Sequence, residues 1–136
     1  MLTYLKISSC DSFNYIMTIL RSARHLKTLI IKFSAFVYDE FPSLNSHSLS
    51  FDSLTSLTLE GVNRNIDSLK RLLSLTRSLI YFKLIGSGQL LDGFQWEQLF
   101  QKHLPHLNKF ELFVEHWKTD RHTVEDIETI IKSFLR

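Results

Sequence analysis

The chain of 136 residues contains a single cysteine, two prolines and four glycines. One cysteine cannot form an internal disulfide or a cysteine-built zinc cluster, and such usage suits a reducing, intracellular compartment. So few glycines and prolines leave no long flexible linker, and the length suits one domain over residues 1–136. Charge of one sign is scarce too. Sixteen basic and fourteen acidic residues give a net charge of +2, too little for bulk attraction to nucleic acid or an anionic membrane. No apolar run approaches the ~18 residues of a membrane-spanning helix. Residues 1–10 carry Lys6 and a Ser8-Ser9 pair, and lack the basic stretch and apolar run of a secretory signal. The expected location is therefore the cytoplasm, or else the nucleus. What the chain has in quantity is apolar side chain: 44% hydrophobic against 22% charged residues marks a folded chain, not a disordered one.

Those apolar residues recur in a frame. Leu2-x-x-Leu5-x-Ile7-x-x-Cys10 is followed by Leu26-x-x-Leu29-x-Ile31, then Leu54-x-x-Leu57-x-Leu59-x-x-Val62, Leu79-x-x-Phe82-x-Leu84 and Leu107-x-x-Phe110-x-Leu112. The first leucines stand 24, 28, 25 and 28 residues apart, inside the range of roughly 20–29 expected for leucine-rich repeats. The second and third apolar positions of each frame are two apart, so both point to one face of a short strand. The first tucks into the turn that enters the strand. A Cys or Asn at the ninth position can satisfy backbone groups where the chain leaves it. Cys10 keeps that feature, while Ser34, Val62, Ser87 and Glu115 stand at the equivalent places.

Between the frames lie apolar residues at helical spacing. Phe13, Ile16, Met17 and Leu20 form one stripe, Ile66, Leu69, Leu72 and Leu73 a second, and Trp96, Leu99, Phe100 and Leu104 a third. A last stripe runs through Val124, Ile127, Ile130, Ile131 and Phe134. Asp92 with Gln95, and Thr123 with Asp126, have capping-box spacing at the starts of the last two. The stretch from Val37 to Ser50, with Pro42 and many Ser and Asn, reads as a loop holding at most a short helix. Strand and helix thus alternate. The expected fold is α/β: a leucine-rich-repeat solenoid, a short curved stack of about five strand–helix repeats with its parallel sheet on the concave face. The repeats start near residues 2, 26, 54, 79 and 107, and a helix over 123–135 closes the chain. An evenly spaced doubly wound sheet is the alternative. Its strands would be more continuously apolar, and a Gly-rich phosphate turn would follow one of them.

One stretch is more specific. Leu91-Asp92-Gly93-Phe94-Gln95-Trp96-Glu97-Gln98-Leu99, followed by His103-Leu104-Pro105-His106-Leu107-Asn108-Lys109-Phe110, resembles the C-terminal part of F-box and leucine-rich-repeat proteins. There a D-G-x-x-W-E helix leads into L-P-x-L-x-x-F. Leu5-Lys6-Ile7-Ser8-Ser9-Cys10 is also similar to repeats of that family. The repeat likeness covers nearly the whole chain, the specific motif about 20 residues. The resemblance implies the substrate-recognition repeats of a ubiquitin-ligase adaptor, whose F-box recruits the ligase core while the repeats hold the protein to be ubiquitylated. The first frame opens at Leu2, directly after Met1. An upstream F-box segment, or self-association, is expected to cover the uncapped first strand.

Residues alternating with the core leucines point out of the concave face. These are Tyr4, Lys6 and Ser8; Thr28, Ile30 and Lys32; Ser56, Thr58 and Glu60; Tyr81, Lys83 and Ile85; and Lys109, Glu111 and Phe113. From these rows Tyr4, Lys6, Ile30, Lys32, Tyr81, Lys83, Ile85, Glu111 and Phe113 are the expected partner-binding residues, with Tyr81, Ile85 and Phe113 as an apolar patch. Phe33 and Phe36 are expected to pack under the 37–50 loop.

Nothing selects a chemistry. His103 and His106 are separated by Pro105, and His116 and His122 fall on other elements, so no metal site is expected. Glu125, Asp126 and Glu128 suit the first turn or polar face of the last helix. Cys10 reads as structural, and Gly86-Ser87-Gly88 as a turn too short to cradle a phosphate. No G-x-S-x-G, H-E-x-x-H or P-loop occurs. The expectation is a non-catalytic protein-interaction module without cofactor, binding no nucleic acid and no membrane. The alternative is a structural repeat fragment that self-associates or completes a larger solenoid.

Overall fold

A computed structural model of the chain describes residues 1–34, 50–63, 66–87 and 93–116. It is an α/β structure with one five-stranded parallel sheet and, among the described residues, three helices. In chain order these are β1 (Tyr4–Cys10), α1 (Phe13–Ser22), β2 (Thr28–Phe33), β3 (Ser56–Asn63), α2 (Ile66–Leu75), β4 (Tyr81–Ser87), α3 (Gly93–His103) and β5 (Lys109–His116).

The sheet runs β1-β2-β3-β4-β5, each strand beside its neighbour in sequence. Its register follows the leucine frame. Leu5, Leu29, Leu57, Phe82 and Phe110 form one row across the sheet, and Ile7, Ile31, Leu59, Leu84 and Leu112 a second. Both rows face the helices. Leu29, Ile31, Leu57, Leu59 and Phe82 are completely buried, while the end-strand residues Leu5, Ile7, Phe110 and Leu112 are half-buried against the same core. Burying one such leucine is worth roughly 1.5–3 kcal/mol. The three helices turn their stripes to that single core: Ile16, Met17 and Leu20 from α1, Leu69, Leu72 and Leu73 from α2, Trp96 and Leu99 from α3. A doubly wound sheet would carry helices on both faces and bury both sets of side chains. Here the described helices all pack on one face, and no described helix lies on the other, which we call the open face.

The strand entries repeat the same hydrogen bonds. The first leucine of each later frame is held by a tight turn: the N–H groups of Leu26, Leu54, Leu79 and Leu107 donate to the carbonyls of Ala23, Phe51, Thr76 and Leu104 at 3.1–3.3 Å. One carbonyl per step then accepts two consecutive N–H groups from the next strand. The Thr3 oxygen takes Lys27 and Thr28, Lys27 takes Thr55 and Ser56, Thr55 takes Ile80 and Tyr81, and Ile80 takes Asn108 and Lys109, all at 2.8–3.1 Å. This fork recurs at all four strand-to-strand steps and fixes where each strand begins.

Where the strands end, the structure corrects the sequence frame. Register slips fall between Ile7 and Cys10, between Glu60 and Val62, and between Gly86 and Ser87. Cys10 consequently pairs with Phe33, not with Ser34, and Val62 pairs with Gly86, not with Ser87. The cause at β3 is visible. Gly61 takes φ of 81°, and a Cβ there would stand 2.9 Å from the Phe33 carbonyl oxygen. Only glycine permits both the left-handed backbone and the close approach. Gly86 and Ser87 belong to β4 rather than to a turn. Cys10 is buried as expected, and its thiol donates to the Ser12 carbonyl at 3.2 Å where the chain leaves β1. Phe33 belongs to the main core, in register with Cys10.

Helix α1 starts at a cap that the sequence frame does not mark. Ser12 is extended, at φ −151°, and its Oγ accepts the Asn14 N–H at 3.0 Å. The expected cap Asp92, the loop residues including Phe36, and the closing stripe at 123–135 with Thr123, Glu125, Asp126 and Glu128 lie outside the described residues.

Candidate binding face of the sheet

The open face is built by the alternation that builds the core. Three rows of outward positions cross the strands. Tyr4, Thr28, Ser56, Tyr81 and Lys109 are in register, as are Lys6, Ile30, Thr58, Lys83 and Glu111. Lys32, Glu60, Ile85 and Phe113 form the third row from β2 to β5. Every residue expected from the sequence to face a partner stands on this one face. They are not equally open. Tyr4 and Phe113 are 54% and 51% exposed, whereas Ile30, Tyr81, Lys83, Ile85 and Glu111 are half-buried.

Side-chain contacts on this face gather at β4 and β5. The Tyr81 hydroxyl donates to Glu111 Oε2 at 2.6 Å, and the Lys109 ammonium stands 3.1 Å from Oε1 of the same carboxylate. Lys109 also lies 5.9 Å from the Tyr81 ring centroid, and Lys83 lies 5.1 Å from that of Phe113, both within cation–π range. Glu111 thus has one partner on each oxygen. The hydrogen bond from Tyr81 is the first cause holding its carboxyl below the usual range, with Lys109 and Lys83 adding to it. The same bond, helped by burial and the negative charge, pushes the Tyr81 phenol up to about 12. Five side chains from two adjacent strands therefore contact one another, with Lys109 and Phe113 the most exposed of them. At β2 and β3 the face carries one looser pair, Lys32 to Glu60 at 3.8 Å.

The sequence located the rows but not these links. Tyr81 and Glu111 are 30 residues apart, and only the pairing of β4 with β5 brings them together. A large aromatic and an acid on neighbouring outward positions was the available signal.

This arrangement can recognise another surface through fixed aromatic, ammonium and carboxylate groups. Among the described residues, no group of three or more His, Cys, Asp or Glu could hold a metal ion. Among them, too, no helix is long and apolar enough to cross a membrane. Comparison with protein-family models, with curated proteins and with solved structures finds no match to this chain.

Proposed function

We propose that the chain is a leucine-rich-repeat solenoid whose open sheet face binds another protein, without catalysis and without a cofactor. The observation that carries this reading is the register. Five consecutive frames line up strand by strand, with their outward residues on the one face that no described helix covers. A continuous parallel sheet face, free of helices among the described residues and carrying preorganised aromatic and charged groups, supports protein recognition, because little side-chain entropy remains to be lost on binding. The β4–β5 end is the centre of the site: Tyr81, Lys83, Ile85, Glu111 and Phe113 form it, with Tyr4, Lys6, Ile30 and Lys32 extending it across the sheet. The resemblance of residues 91–110 to F-box and leucine-rich-repeat proteins supports a role as the substrate-holding part of a ubiquitin-ligase adaptor in the cytoplasm or nucleus. In that role the bound protein is the one to be ubiquitylated.

The test is capture of partners by the intact chain and by a Tyr81→Ala, Phe113→Ala double variant. Aromatic anchors at an interface centre are worth about 2 kcal/mol each, so the double variant should lose its partner by well over tenfold. Arg71→Ala, on the exposed side of α2, should retain it. Equal retention by both variants would remove the open face as the binding site.

A second reading has its own observation. At the β1 edge Met1, Leu2 and Tyr4 are more than half exposed, and Leu5 and Ile7 are only half covered. An apolar strand edge of this kind supports self-association or a neighbouring segment laid against β1. A concentration-independent monomer mass in sedimentation would dispose of the self-association version.

A further inference from the structure

On the helix side, away from the open face, α2 and α3 enclose a cleft of about 260 Å³ lined by Lys70, Gln95, Gln98, Leu99, Lys102 and His103. We propose that this cleft is a binding site for a phosphate-type oxyanion.

The charged groups around the cleft are cationic. Lys70 comes from the middle of α2, Lys102 and His103 from the last turn of α3. Arg77, two residues beyond the end of α2, is close enough to act on the His103 imidazole. Among the described residues Lys70, Arg77 and Lys102 make no ion pair. The nearest acids by sequence, Asp67 on α2 and Glu97 on α3, are exposed; neither lines the cleft nor acts on His103. The remaining polar lining is two carboxamides, whose NH₂ groups can donate. Cations in the last turn of α3 also complement its negative end, which accounts for Lys102 and His103. It accounts for neither Lys70, mid-helix on α2, nor Arg77, past its end. The cleft is smaller than pockets that enclose drug-sized ligands, roughly 300–1,000 Å³, so it suits a small ion or a single phosphate group.

His103 reports on the same field. Its half-buried imidazole is held below its ordinary value, first by burial and then by Lys102, Arg77 and Lys70. An anion placed among those cations reverses their effect, so its binding must raise the affinity of His103 for a proton, and the protonated ring must in turn favour the anion. The phosphate could be free or carried on a side chain of a partner protein, and the two sources separate by affinity.

The experiment is an NMR titration of the histidine ring signals in the full chain at constant ionic strength. The probes are inorganic phosphate, a phosphoserine peptide, its unphosphorylated form, and sodium chloride. Both phosphate probes should shift His103 saturably and raise its titration midpoint. The exposed His25 and His106 should stay unmoved. Tighter binding of the phosphopeptide would assign the site to a modified partner, and equal or weaker binding to free phosphate; either result supports it. Lys70→Ala with Lys102→Ala, two exposed positions, should weaken the effect at least tenfold. Equal shifts at His25, His106 and His103, the same response to chloride or to the unphosphorylated peptide, or an unchanged response in the double variant would overturn the site.

Discussion

The two ends of the sheet are built on one frame and filled differently. Around β1 and β2 the described core is mainly aliphatic, with Ile16, Met17, Leu20, Leu26, Leu29 and Ile31 beside the single ring of Phe33, and the outward residues mostly stand alone. Around β4, β5 and α3 the inner face carries rings. Phe82 stacks on Phe110 with centroids 5.6 Å apart, Phe100 meets Phe110 edge-on at 4.7 Å, and Trp96 lies 5.6 Å from Phe100. The outer face at the same end carries the Tyr81–Glu111–Lys109 linkage and the Lys83–Phe113 contact. Repetition therefore sets positions, while the side chains at those positions decide what each end does. One end is general packing with an open edge. The other is cross-linked by side-chain contacts on both faces.

The sharpest way to break this contrast is to empty the two cores separately. Phe82→Ala removes a fully buried ring that touches both Phe100 and Phe110, and should cost about 3–5 kcal/mol. Leu29→Ala, in the same row at the aliphatic end, should cost about 2–4 kcal/mol. Urea unfolding monitored by far-ultraviolet dichroism measures both. A larger loss from Leu29→Ala would mean that the aromatic end is not the better packed one.

A smaller loss is expected between the two ends. Gly61→Ala forces a side chain into the left-handed region and onto the Phe33 carbonyl, and should cost about 1–3 kcal/mol in the same measurement. No loss would mean that β3 can shed its bulge.

The smallest effect tests the outer face. Tyrosinate absorbance should show the Tyr81 phenol ionising at about 12, and Glu111→Gln should bring it back toward 10.0. Because its folded value is raised, the stability Tyr81 lends is complete below 10.0 and disappears as pH climbs through about 12. Glu111 has the opposite sign. Its folded value is lowered, so its contribution is complete above 4.5 and disappears as pH falls through the lower folded value. An unchanged Tyr81 titration in Glu111→Gln would dissolve the proposed linkage.

What could be read from the sequence divides along range. The inner rows follow from period-two alternation, and the helix stripes from spacing of three and four, both properties of neighbours in the chain. Equal outward rows followed from counting within each frame, and the register agrees with that count as far as Glu60 and Ile85. Beyond those points the count fails. Bulges depend on where Gly61 meets Phe33, two residues 28 apart whose approach no local pattern encodes. The Tyr81–Glu111 bond and the cationic cleft between α2 and α3 are of the same kind. Ser12 is the exception: a serine two residues before Asn14 at a helix start was legible, but the apolar stripe beginning at Phe13 drew the boundary instead.

The recurring fork at the strand entries has a mechanical consequence. Tension along the strands would load all the bonds of a strand pair together, a shear geometry that resists. Tension drawn across the sheet, from β1 toward β5, would meet one fork at a time. The chain should then yield in increments of one frame, each releasing 24 to 28 residues, or roughly 80–100 Å of slack. A molecule ordered this way is stiff in one direction and extensible in the other.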